Sequence, residues 1–208
     1  MIPPPFPAPA PDAALVRFPL QGCREARYWP PVKIIILSCS LNEDSKSRAL
    51  ARKLLEYWEA TAGGTAEMID LRDGELPLCD GGAAYGHPAV QELGQSLAEA
   101  DAVVLAVPIY NFDMNSAAKN AIELAGRQLE DKVAGFMCSA GGQKSYMSVM
   151  AVASSLMLDF RTIILPRFVY ATGEDFEGDG SLSPDMQARV EQFGDDFLKL
   201  ASAVTAMG

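Results

Sequence analysis

Histidine is almost missing from this chain: His87 is the one in 208 residues. A multi-histidine metal centre is thereby excluded, and any Ser–His–Asp mechanism would rest on that single side chain. His87 lies in a Gly/Pro-rich loop, where a solvated loop residue is expected. Cysteine is scarce as well. Cys23, Cys39, Cys79 and Cys138 stand far apart with no C-x-x-C pair, which argues against a zinc or iron–sulfur site and against a disulfide framework. No metal is expected, and the natural compartment for such thiols is a reducing cytosol. Positive charge is short: 17 Lys and Arg against 27 Asp and Glu give a net charge of −10. Such a surface should repel nucleic acid and anionic membrane, so neither is an expected partner. No apolar run reaches the roughly 18 residues of a membrane span. The opening MIPPPFPAPAPDAAL lacks the charged and apolar regions of a secretory leader, so none is expected. Missing too are the glycine spacing of a dinucleotide fingerprint and of a Walker loop.

What is present is a regular alternation. Residues 1–31 read as a separate arm, with prolines dense enough in the first eleven to favour extended conformations. Residues 32–208 read as one domain, long enough for a proper core. Ile34–Leu37 is apolar at every position, as in a strand covered on both faces. A helix is expected from about Lys46 to Ala62, stopped by Gly63 and Gly64. Thr65–Leu71 reads as a second strand, then a Gly/Pro-rich loop runs from Arg72 to Pro88. Ala89–Ala100 is helical, and Asp101–Val107 is a second wholly apolar strand that Pro108 should end. Asn115 or Ser116 is expected to cap a helix closed by Gly126. Asp131–Ser139 is a strand, Gln143–Leu158 a long helix and Phe160–Leu165 the last strand. Ser183 as cap and Pro184 at the first helical position start the final helix. Strands and helices alternate five times, the pattern of a doubly wound α/β sheet of five parallel strands.

In such a sheet, ligands bind at the carboxyl ends of the strands, where strand order reverses. Three loops there are chemically marked: Ser38–Ser47, Pro108–Asn115 and Ser139–Gly142. In a 2-1-3-4-5 order their strands are adjacent, so the loops meet over one crevice. The first is rich in hydroxyls and precedes a helix N-terminus, a natural anion site; the same residues also suit plain helix capping by Asp44 or Ser45. The second offers Tyr110 and Phe112 as apolar walls and Asn111 as an amide partner. The third offers approachable backbone at Gly141 and Gly142. A phosphate held without a G-x-G loop points towards a mononucleotide such as FMN in a flavodoxin-like fold.

The stretches SCSLNEDSKSRALA (Ser38–Ala51), PIYNFDMNSAAKNAIEL (Pro108–Leu124) and SAGGQKS (Ser139–Ser145) resemble the phosphate loop, ring loop and S-x-G-G stretch of the NAD(P)H-dependent FMN reductase family. The resemblance implies a flavodoxin-like oxidoreductase that binds FMN and takes NAD(P)H as co-substrate. Its acceptor would be a small molecule: a flavin, quinone, azo compound or the like. The resemblance assigns Ser40, Asn42, Ser45 and Ser47 to the phosphate. Pro108, Ile109, Tyr110 and Asn111, with Phe112 beside them, would line the flavin ring. Ser139, Ala140, Gly141 and Gly142 would complete the ring site. Lys119 and Asn120 are expected to support it rather than touch it. No side chain is assigned acid–base catalysis, since flavin carries the chemistry. A homodimer or homotetramer is expected, with the arm and the Arg72–Pro88 loop as contact candidates. Two departures stand out: Asn42 replaces the usual Arg and Cys39 the usual Gly. Losing that cation should weaken phosphate binding by about 1–2 kcal/mol. Two other readings stay open, a flavodoxin-like electron carrier and a module that has lost its flavin.

Overall fold

The run Ile34–Leu37 forms the centre of β1, Lys33–Ser38, and five of its six residues are buried. The computed structural model describes residues 32–61 and 65–207; the expected Pro-rich arm and the Gly63–Gly64 stop lie outside them. Burial on both faces follows from the pleat. Ile34 and Ile36 point to one side of the sheet, into a core with Leu50, Leu54, Trp58, Val190 and Phe197. Ile35 and Leu37 point to the other, into a core with Leu93, Leu97, Ala121, Val152 and Leu156. Each such side chain contributes roughly 1.5–3 kcal/mol by leaving water, which makes β1 the keel of the domain.

Strand β1 pairs in parallel with β2, Thr65–Asp70, on one side and with β3, Ala102–Tyr110, on the other. A two-residue strand β4, Asp113–Met114, folds back antiparallel on the end of β3. On its far side β3 pairs with β5, Val133–Ser139. The start of β5 pairs with β6, Ile163–Ile164, and its end with β7, Val169–Ala171. The parallel path therefore follows the expected 2-1-3-4-5 order, with a fifth strand broken in two. Helices α1, Lys46–Thr61, and α5, Pro184–Thr205, cover one face; α2, Pro88–Glu99, α3, Ser116–Ala125, and α4, Met150–Phe160, cover the other. Ser183 caps α5 by accepting from the Met186 amide over 3.3 Å, with Pro184 at the first helical position, as expected. At Gly135 a Cβ would lie 2.8 Å from Phe193 and 2.9 Å from Phe197. Glycine is what lets α5 approach the sheet there.

Three expected boundaries move. Pro108 does not end the third strand, which runs on to Tyr110. The Cys39 amide still donates to Ala106 O over 2.9 Å, and the Cys39 carbonyl, which an amide proton at position 108 would serve next, takes the Asn115 side-chain amide instead. The fifth strand is not Phe160–Leu165, because Phe160 ends α4. The Leu165 amide still reaches Ala134 O at 2.9 Å, but Pro166 cannot donate, and pairing resumes only at Val169. The expected helix Gln143–Leu158 is a 3-10 segment, Gln143–Val149, kinked at Ser145, followed by α4.

Candidate functional site

Registers bring the marked loops together. Ser38 stands opposite Ala106, and Pro108 opposite Ser139, so the loops after β1, β3 and β5 leave the sheet side by side. They are also bonded to each other. The Asn115 side-chain amide donates to Cys39 O over 2.7 Å, while its backbone amide donates to Pro108 O over 3.1 Å. Asn115 occupies the cap position of α3, as expected, but its side chain makes no capping bond; it is committed to the neighbouring loop instead.

The hydroxyl-rich loop Ser38–Ser47 has the donor set an anion needs. Ser40 and Ser47 are buried and Ser45 half-buried. Ser45 does cap α1, accepting from the Arg48 amide over 3.2 Å, and its Oγ lies 3.0 Å from Ser47 Oγ. The Asn42 amide donates to Ser40 Oγ over 3.3 Å, and Asn42 Oδ1 accepts from the Asp44 amide over 3.2 Å. Asn42 is exposed, and its amide and Oδ1 serve the turn itself. Among the described residues, the backbone amides of Leu41, Glu43, Lys46 and Ser47 make no hydrogen bond within the protein, while the Ser45 amide closes the turn over residues 43–44. Free amides, hydroxyls and the positive end of the 16-residue α1 converge there, which fits a phosphate monoester.

Behind the loop lies a feature that the residue pattern did not single out. Arg48, only 4% exposed, donates from Nε to Asp70 Oδ2 over 2.6 Å. Its Nη1 donates to Glu43 O over 3.0 Å and its Nη2 to Ser40 O over 3.3 Å. Asp70, at the end of β2, also accepts from the Arg72 amide over 3.1 Å. Removing one partner of such a buried pair typically costs about 3–5 kcal/mol. The signal was present: Arg48 is in helical phase with the inward-facing Ala51, an odd place for a guanidinium.

The second loop is a tight hairpin. Asn111 and Phe112 both have positive φ, 52° and 63°, the geometry of a two-residue type I′ turn. Left-handed backbone costs a non-glycine residue roughly 1–2 kcal/mol, and strain of this kind collects at functional loops. The turn displays Tyr110 and Phe112, which are 53% and 68% exposed. Pro108 and Ile109 are buried, and the Ile109 side chain packs in the core, so only its main chain faces the crevice. In the third loop Ser139 is buried and Ala140 half-buried. Gly141 and Gly142 are exposed, and a Cβ at either would meet nothing within 4 Å; a flat ring could lie against that backbone. Tyr170 fixes the loop by donating to Gly142 O over 2.6 Å.

Asn120 and Lys119, expected to support the ring site, contact other parts of the chain. Asn120 accepts from the Cys79 amide over 2.8 Å and donates to Pro77 O over 2.9 Å, pinning the Arg72–Pro88 loop to α3. Lys119 forms an exposed pair with Glu123 at 3.0 Å. His87 is solvated, and it also caps α2 by accepting from the Ala89 amide over 3.3 Å. Two cavities flank the loop Ser38–Ser47. One of about 750 Å³ is lined by Leu41, Arg72, Leu76, Ser116 and Asn120. The other, about 520 Å³, lies at the start of α1 beside Lys46, Arg52 and Phe176. Tyr110, Phe112, Gly141 and Gly142 are exposed, so the loops after β3 and β5 form an open ledge. Burial pushes the Cys138 thiol up to about 12 and raises that of Cys39 further, which leaves both as apolar packing groups.

Residues 32–177 match the family model described as NADPH-dependent FMN reductase. An NADPH:quinone oxidoreductase of Arabidopsis thaliana is 28% identical over 175 residues, 78% of this chain and 88% of that protein. An NAD(P)H-dependent FAD/FMN reductase of Geobacillus thermodenitrificans is 28% identical over 130 residues, 61% of this chain and 70% of that protein. Among solved structures, the flavoenzyme NAD(P)H:(acceptor) oxidoreductase of Paracoccus denitrificans superposes with a TM-score of 0.67 at 24% identity, covering 82% of this chain and 97% of its own. That last likeness speaks to the fold.

Proposed function

The chain belongs to the NADPH-dependent FMN reductase family, whose model spans residues 32–177, and on that premise we propose which of its residues hold the cofactor. The protein is an FMN-dependent oxidoreductase that takes reducing equivalents from NAD(P)H to a small acceptor. Bound FMN supplies the two-electron chemistry. The protein's part is to bind, orient and shield. The free amides of Leu41, Glu43, Lys46 and Ser47 and the hydroxyls of Ser40, Ser45 and Ser47 take the phosphate, with Asn42 shaping the turn. Tyr110, Asn111 and Phe112 with the main chain of Pro108 and Ile109 form one wall of the ring site. The stretch Ser139–Gly142 forms the other. The observation that carries this reading is the set of unpaired loop amides at the start of α1, beside two glycines with open space over them.

Flavin, quinone and azo compounds are the proposed acceptors, supported by the activities named for the relatives. The exposed ledge around Tyr110, Phe112, Tyr146 and Met147 supports a second copy of the chain as its cover, in a homodimer or homotetramer. A cytosolic setting is supported by the buried free thiols of Cys39 and Cys138. Among the described residues no helix is long and apolar enough to cross a membrane. The test is FMN-loaded protein mixed with NADPH or NADH and a benzoquinone. Steady oxidation of the nicotinamide that depends on both FMN and the quinone is expected; oxidation no faster than with free FMN would overturn the assignment.

A further inference from the structure

The position of Arg48 has a bearing on how the phosphate loop works. Its guanidinium never reaches the outer face of the loop. It lies behind it, anchored to Asp70 at 2.6 Å, and takes the carbonyl oxygens of Ser40 and Glu43 at 3.3 and 3.0 Å. A peptide whose oxygen is drawn inward must aim the N–H on its far side outward, because the group is planar and trans. The peptides carrying those two carbonyls supply the amides of Leu41 and Asp44. Leu41 N–H has no protein acceptor, and Asp44 N–H is taken up by the Asn42 side chain. Asn42 contributes its Oδ1 to the turn.

We infer that Arg48, braced by Asp70, is the positioning residue of the phosphate loop: by fixing the Ser40 carbonyl inward it presents the Leu41 amide to a phosphate monoester, and by fixing the Glu43 carbonyl it holds the Asp44 amide on Asn42, which sets the turn. It touches neither cofactor nor substrate. The inference rests on the FMN reading above and deepens it.

Arg48→Lys keeps the charge opposite Asp70 but loses the planar fork that serves three acceptors at once. Affinity is read by quenching of flavin fluorescence, for FMN and for riboflavin, which lacks the phosphate. The wild type should bind FMN more tightly than riboflavin. In Arg48→Lys, FMN affinity should fall at least tenfold while riboflavin affinity stays within twofold. Asp70→Asn, which releases the brace, should shift the same ratio in the same direction. Should Arg48→Lys not fold, Arg48→Met with Asp70→Leu replaces the pair by apolar groups, a change that buried ion pairs often tolerate, and the same selective loss of FMN is expected. Unchanged FMN affinity in a folded variant, or equal losses for both flavins, would overturn the role of Arg48 and leave the FMN reading standing. A wild type that binds no FMN would overturn both.

Discussion

Asn115 Nδ2 and the Cys39 carbonyl oxygen, 2.7 Å apart and buried, join the loop after the third strand to the loop after the first. The bond spans 76 residues of sequence and fixes the spacing between the proposed phosphate and ring sites. Asn115→Ala would leave that carbonyl without a donor. A loss of about 1–3 kcal/mol in unfolding free energy is expected, read as a lower urea midpoint with an unchanged slope. FMN affinity should fall in parallel, because both loops lose their common reference.

Phe112 holds φ at 63° while its ring stays 68% exposed. The backbone strain is not repaid by burial, which suggests that the ring is kept for a ligand or a partner. Phe112→Gly creates the residue pair preferred in type I′ turns. Stability should rise by roughly 1 kcal/mol as left-handed strain is relieved, while FMN is held less tightly. Urea unfolding and flavin titration of the same variant check both halves.

Asp80 organises the long loop by accepting from the amides of Gly82 and Ala84 over 2.8 and 3.0 Å. The Ala84 and Gly82 amides, in that order, hold its carboxyl below the ordinary 3.8. A carboxyl depressed in the folded state stabilises fully above its unfolded value, and the gain is lost as pH falls through the folded value. Asp80→Asn, neutral throughout, should therefore be less stable than wild type at pH 7, with the gap closing as pH drops below about 4. Urea midpoints of the two proteins at pH 7 and pH 3 measure this; a gap that widens in acid would contradict it.

Thiolate is the reactive form of cysteine, and burial holds Cys138 at about 12 and Cys39 higher still. At pH 8 neither should react with a maleimide until the protein unfolds. Cys79, partly exposed in the Arg72–Pro88 loop, should label readily. Mass spectrometry of tryptic peptides separates these sites.

Much of the fold was legible because burial on two faces leaves an unambiguous mark. Ile34–Leu37 and the apolar run ending at Val107 could be little else than central parallel strands, and Ser183–Pro184 is a helix start in almost any context. The misplacements come from residues whose local meaning was overruled by neighbours distant in sequence. Pro108 looks like a stop, yet the Cys39 carbonyl that an amide proton there would serve takes the Asn115 side chain instead, so the strand continues. Pro166 splits the fifth strand, which pairs with β5 before it and again from Val169. In the site, Ser40, Ser45 and Ser47 are assigned through the resemblance of Ser38–Ala51 to a phosphate loop; as hydroxyls before a helix they suit capping equally, and Ser45 does cap α1. Arg48 could not be assigned its role, since its partner Asp70 is 22 residues away and nothing local says which carbonyls it will hold. Ile109 falls in register with the ring loop, but strand alternation turns its side chain into the core.

The central claim is that this crevice holds FMN by its phosphate and ring together. The most direct measurement is the visible absorption spectrum of the purified protein after incubation with FMN and removal of the excess by gel filtration. A stoichiometric oxidised-flavin spectrum that stays with the protein, and that incubation with riboflavin does not reproduce, is the predicted result. A colourless protein after FMN treatment would contradict the account.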